Sequence, residues 1–183
     1  EGGNTSLSID EINERLMGPY RIDVKEHIGA VMASFNRVSD TSMHAHKSLI
    51  TDTLKVEMNF DGIVVSDWKG YSRFGKNDIV NAGIDIVMAV DGDLEDFQTG
   101  VKRGVESNTI PMSRIDDAVK RILRQKFRLG LFDKPFPDST LVAKIGVKAH
   151  RAVAKQAVRE SLVLLKNKNK VLPLSKDTNK IVV

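Results

Sequence analysis

Apolar positions along the chain follow two distinct rhythms. In SIDEINERLMGPYRIDVKEHIG (8–29), Ile9, Ile12, Leu16 and Tyr20 fall at helical spacing, and Pro19 predicts a break or kink. HKSLITDTLKVEM (46–58) repeats the pattern through Leu49, Ile50, Leu54 and Met58. A short helix is expected over KNDIVNAG, closing on Gly83, and a longer one over residues 93–108. Between these stretches lie AVMASF (30–35), GIVVS (62–66) and IDIVMA (84–89), short runs expected to form strands, GIVVS being apolar on both faces. Strand alternating with helix predicts a parallel sheet.

Beyond residue 110 the strands stop. IPMSRIDDAVKRILRQKFRLGLF predicts a helix that starts at Ser113, with Asp116 three residues on in a capping-box arrangement, and ends at Gly130. DKPFPDS (133–139) holds two of the five prolines and reads as a connector. A helix is predicted over residues 147–166, then a polar turn at KNKNK, and the closing NKIVV has the character of an unfinished strand. Three strands cannot close an eight-stranded barrel, so the chain is expected to be a piece of a larger protein.

Composition narrows the function classes. With 41% hydrophobic and 28% charged residues in 183, the chain can bury one core, and disorder is not expected. Its apolar runs fall far short of the ~20 residues that span a bilayer, and EGGNTSLSIDE has neither the basic head nor the apolar run of a signal peptide. The absence of cysteine excludes a disulfide framework and a thiolate metal site. The net charge of +4 is scattered among acids along helical patterns, without a basic stripe interleaved with aromatics, so no nucleic-acid partner is expected.

The candidate chemistry lies in FDGIVVSDWKG (60–70). In parallel α/β folds reacting groups gather at the carboxyl ends of strands, and Asp67 stands one residue past GIVVS beside the single tryptophan, Trp68. A carboxylate there can attack an anomeric carbon while a second carboxylic acid ~5 Å away protonates the leaving oxygen. An aromatic ring alongside suits the C–H faces of sugars. The alternative is that Asp67 caps a turn and Trp68 packs a loop. Glu57, Glu95, Asp96, Glu106 and Asp117 all lie on amphipathic helical stretches and are read as solvated. His44 and His46 form an HxH without an evident third ligand and are read as loop histidines, so neither a metal nor a cofactor is expected.

FDGIVVSDWKG resembles the nucleophile segment of glycoside hydrolase family 3, the retaining β-glucosidases. VMASFNRVSDTSMHAHKSLITDTLK, AGIDIVMA, IPMSRIDDAVKRILRQKFRLGLF and AVRESLVLLKNKNKVLPLS resemble further segments of that family, in the same order. The MHA loop and SRIDDAVKRIL point towards its plant β-D-glucan exohydrolase branch. The resemblance implies the carboxyl-terminal part of a (β/α)8 TIM-type barrel over residues 1–132, a linker and helix over 133–179, and the start of an α/β-sandwich domain at 180–183. It implies Asp67 as nucleophile and Trp68 as a wall of the leaving-sugar subsite, with Arg73 near that subsite. Met32 and Phe35 are implied to line the pocket. Phe35 stands where the family often has a tyrosine, and it has no hydroxyl to donate to the nucleophile.

On the same grounds the substrate is expected to be a β-glucan or β-glucoside cut from its non-reducing end, outside the cell or in the cell wall or periplasm. The acid/base residue and the sugar-clasping residues are expected elsewhere in the full-length protein, which is the implied partner of this chain. Two alternatives remain open: a hydrolase of the same family with other specificity, such as an N-acetylhexosaminidase, and a remnant domain that binds carbohydrate without turnover.

Overall fold

The computed structural model describes residues 2–90 and 92–177. It is mixed α/β and mostly helical, and it divides into two compact units, residues 1–135 and 136–183. The expected strand in NKIVV and the expected start of a further domain at 180–183 lie outside the described residues.

In the first unit, β1 (Asn4–Thr5) leads into α1 (Ile9–Arg15). The Ser8 side chain accepts the Glu11 N–H, and the Glu11 carboxylate accepts the Ser8 N–H at 2.8 Å, which makes a capping box. Pro19 does break the helical pattern: α2 (Gly18–Lys25) starts afresh with the proline in its first turn, where its missing N–H costs nothing. β2 (Ala30–Met32) follows, then a tight hairpin of β3 (Arg37–Val38) and β4 (Thr41–Ser42) that the apolar pattern did not reveal. Its turn residues Ser39 and Asp40 both have positive φ, the geometry of a two-residue hairpin usually signalled by Asn-Gly. β1 pairs with β3 in parallel.

The stretch Ser48–Glu57 is helical, wound as a π-helix with Met58 N–H reaching back to the Thr53 carbonyl. β5 (Ile63–Val65) then lies parallel to β2, with Val31 opposite Val64 and Met32 opposite Val65. α3 (Gly70–Arg73) and α4 (Asn77–Ala82) come next. The expected third strand, IDIVMA, is reduced to one parallel bridge between Val65 and Ile86. The reason is local. Asp85 accepts the Val64 N–H at 2.8 Å through its side chain, so a carboxylate replaces the backbone carbonyl that a continued ladder would offer.

α5 (Asp93–Glu106) and α6 (Met112–Arg128) complete the unit. α6 begins directly after Pro111, so Ser113 lies inside its first turn and makes no side-chain cap; the capping box expected there is absent. Its end is as expected: Gly130, with φ of 66°, lets the Leu131 N–H return to the Lys126 carbonyl. Val64, Ile50, Leu54, Phe60, Ile79 and Ile84 form the centre of the core. In the second unit, α7 (Lys148–Ser161) stops five residues before the predicted end at Lys166 because Leu162 is extended. Among the described residues no helix is long and apolar enough to cross a membrane.

One charge cluster holds the first unit together. The Asp85 side chain has no exposure to solvent and accepts from Lys55 at 2.8 Å as well as from Arg114. Asp117 pairs with Arg114, Arg121 and Lys55, so its face of α6 is not simply solvated as expected. Arg121 also donates to the carbonyls of Phe60 and Gly62, at 2.7 and 3.0 Å. Burial pushes the Lys55 ammonium below its usual range, and the Asp85 carboxylate opposes the shift. Burial raises Asp117, but Lys55, Arg121 and Arg114 outweigh it and hold the carboxyl below 3.8.

Replacing Asp85 with alanine leaves Lys55 and Arg114 without their buried counter-charge and is expected to cost about 3–5 kcal/mol in chemical denaturation of the full-length protein. The Asp117 contribution is present above its unfolded value of 3.8 and is lost as pH falls through the lower folded value. A variant as stable as the wild type would show that these charges do not hold the elements together.

Candidate active site

The site is built where the β2–β5 ladder runs out. Val65 is the last residue of β5, and Ser66 behind it is fully buried. The Ser66 hydroxyl donates to the Asp67 carbonyl and accepts the Met88 N–H, both at 2.9 Å. The Asp67 carbonyl also accepts the Gly70 N–H at 3.0 Å, and the Lys69 N–H reaches the Met88 carbonyl at 3.0 Å. The loop that carries Asp67 is therefore tied to the segment after α4 by main-chain bonds and one hydroxyl.

On its other side Asp67 meets His44. The Asp67 N–H donates to His44 Nε2 at 2.9 Å, and the Asp67 carboxylate accepts the Trp68 N–H at 2.6 Å. Asp67 thus serves its turn as a cap while its side chain stays half-buried at the carboxyl end of β5. His44 lies in a short 3-10 turn, Met43–Ala45, capped by the Ser42 hydroxyl. Its imidazole is fully buried and stacks on Phe74 at 4.5 Å, with the planes 10° apart. Burial pushes the ring below its usual 6.5 and the Arg73 charge adds to this; the Asp67 carboxylate and the Ser34 backbone oppose it.

The five residues implied by the resemblance are distributed unevenly. Phe35 and Arg73 are together: the guanidinium lies 4.5 Å over the Phe35 ring and 5.6 Å from that of Phe74. Where a tyrosine would carry a hydroxyl, Phe35 offers a ring face to a cation. Asp67 joins this group through His44, whose ring centroid lies 6.2 Å from that of Phe35. Trp68 is exposed beside Asp67. Met32, also exposed, lies opposite Val65 in the ladder and lines an apolar groove of about 230 Å³ with Leu16, Tyr20 and Val31.

His44, Ser66 and Gly70 were not evident from the sequence. The HxH gave no hint that His44 accepts an amide 23 residues away. His46 is engaged separately, its Nδ1 lying 3.1 Å from the Ser48 hydroxyl. Among the described residues no three His, Cys, Asp or Glu side chains are grouped to hold a metal. The one available signal was Ser66, a small polar residue at the end of an apolar strand and directly before Asp67.

Residues 1–125 match the Glycosyl hydrolase family 3 N terminal domain. The chain is 34% identical to a lysosomal beta glucosidase of Dictyostelium discoideum, over 85% of this chain and 20% of that protein. It is 33% identical to a putative beta-xylosidase of Formosa agariphila, over 99% of this chain and 26% of that protein. Among solved structures, an exo-1,3/1,4-beta-glucanase from a Pseudoalteromonas species superposes with a TM-score of 0.79 at 36% identity, covering 94% of this chain and 23% of its own. The chain therefore spans about a fifth to a quarter of the length of these relatives.

Gly70 keeps the loop closed over its supports. A Cβ there would come within 2.7 Å of Ser66 Cβ and 2.9 Å of His44 Cδ2. Gly70→Ala is expected to cost about 1–3 kcal/mol through overpacking, read by chemical denaturation of the full-length protein. Unchanged stability would mean that the loop has room to spare.

Proposed function

The chain belongs to glycosyl hydrolase family 3, and we propose that in its full-length protein it supplies the nucleophile of a retaining, exo-acting β-glucosidase or β-glucan hydrolase. The observation that carries this reading is Asp67: a half-buried carboxylate at the carboxyl end of a parallel strand, with its backbone bonded at both N–H and carbonyl. Its carboxylate oxygen forms a bond to the anomeric carbon as the glycosidic C–O bond breaks. A carboxylic acid from elsewhere in the protein protonates the departing oxygen, and water then releases the sugar from Asp67. Trp68 offers an exposed ring face for the leaving sugar, and Arg73, steadied over Phe35, presents a fork of donors to hydroxyl groups. Met32, exposed on β2 opposite Val65, is read as lining the pocket from the neighbouring strand.

The same reading takes β2, β5 and the Ile86 bridge as successive strands of a (β/α)8 barrel whose carboxyl-terminal part is residues 1–132. Residues 133–179 form the linker towards an α/β-sandwich domain. The parallel order and the alternation with helices support it. The location read from the resemblance is outside the cell or in the cell wall or periplasm, whereas the Dictyostelium relative is named as lysosomal. A second sugar, xylose, enters through the relative named as a putative beta-xylosidase, and rates on aryl β-glucosides and β-xylosides decide between them.

Asp67→Asn keeps size and most hydrogen bonds, so the full-length variant is expected to fold as the wild type does while kcat on an aryl β-glucoside falls by at least about 10³-fold. Full activity would return Asp67 to the role of a turn cap. Trp68→Ala is expected to weaken substrate use by about 0.5–1.5 kcal/mol, with little loss of stability. Equal kinetics with reduced stability would place Trp68 in packing alone.

A further inference from the structure

The Asp67 N–H is in an unusual position. Along β5, Ile63 donates to the Gly29 carbonyl and Val65 accepts from Ala33, so odd-numbered residues face β2. By that alternation the Asp67 N–H points to the same side, where a continued parallel ladder would offer the Ala33 carbonyl. β2 has ended at Met32, and the bond goes to His44 Nε2 instead. A buried amide needs an acceptor, and an imidazole supplies it.

An amide can only donate. Nε2 must therefore hold its lone pair, which makes the ring neutral with its proton on Nδ1. Burial favours the neutral form; the Asp67 carboxylate and the Ser34 backbone favour the charged form, and Arg73 disfavours it. Nδ1 is itself buried without a hydrogen bond of good geometry, the Ser34 backbone being the ring's other polar neighbour. The acceptor at Nε2 is therefore held with the Nδ1 proton left only a poorly aligned partner, a cost that side-chain packing alone would not call for. The ring has little freedom to leave, with Phe74 stacked on it and Gly70 against Cδ2.

We propose that His44 is a positioning residue for the glycosyl-transfer step: by accepting the Asp67 N–H it sets the height and direction of the Asp67 carboxylate at the end of β5. This rests on Asp67 as the nucleophile. His44 touches neither sugar nor leaving group. It acts through the backbone of Asp67, and a displacement of order 1 Å at a reacting atom costs about 10²-fold in rate.

The test is the rate of covalent trapping in the full-length enzyme with 2,4-dinitrophenyl 2-deoxy-2-fluoro-β-glucoside. An Asp67 oxygen bonds to the anomeric carbon, and dinitrophenolate leaves with the electron pair of the broken C–O bond, so no proton donor is needed. His44→Met has similar length and no comparable acceptor; His44→Gln can place its amide oxygen near Nε2. The methionine variant is expected to be trapped about 10- to 100-fold more slowly, with the half-saturating probe concentration within about threefold of wild type. The glutamine variant is expected to restore the rate to within about threefold. A purely structural role would lower stability in both variants and leave their trapping rates alike.

Trapping of His44→Met at the wild-type rate, with the label on Asp67, overturns the role of His44 and leaves the nucleophile standing. A wild-type label on another carboxylate overturns both. If His44→Met does not fold, His44→Gln decides: a loss above tenfold overturns the proposal, and a rate within threefold supports it.

Discussion

A carboxylate with no access to water cannot remain charged without partners, and Asp85 finds three: the Val64 N–H, Lys55 and Arg114. Each comes from a different element: β5, the π-wound helix and α6. Satisfying one buried charge therefore fixes three pieces of chain relative to one another. Val64 lies three residues before Asp67, so the same bond fixes the height at which β5 ends. The Arg121 bonds to the Phe60 and Gly62 carbonyls hold the other end of the strand.

From that fixed strand the candidate site follows by a change of partner. Within β5 the main chain bonds to β2 on one side and, through Val64, to the Asp85–Ile86 segment on the other. One residue later the backbone carbonyls of β2 are gone. Side chains then take over: the Ser66 hydroxyl on one side, the His44 imidazole on the other. A loop that would otherwise be free is held by groups whose geometry is set by packing, His44 by Phe74 and Gly70, and Arg73 by Phe35. Loops held in this way on a rigid scaffold are the usual seats of chemistry.

Much of the fold was legible because it depends on local rules. Pro19 split a helix, and Gly130 ended one through its left-handed conformation. The apolar runs at 30–35 and 62–66 gave parallel neighbours. The misreadings share a cause. IDIVMA was apolar enough for a strand, yet Asp85, the one polar residue in that run, took the ladder's place. Asp117, read as solvated, has Arg114 and Arg121 at helical spacing on its own helix, but periodicity cannot register its third partner, Lys55 on a distant helix. The Ser39–Asp40 turn carried no Asn-Gly signal.

The sequence by itself determined the alternation of the main helices with the two strand runs at 30–35 and 62–66, the position of Asp67 at a strand end, and enough of the surrounding motif to indicate the family. These follow from periodicity and from short contiguous segments, which are properties of neighbours in the chain. Only the tertiary structure decided that His44 receives the Asp67 N–H, that Arg73 lies over Phe35, and that Asp85 lies at the centre of a buried charge cluster. Each of those joins residues 21 or more positions apart, as the separation of 23 positions from His44 to Asp67 shows. Which donor meets which acceptor is settled by where burial leaves a polar group without water, and no local pattern carries that information.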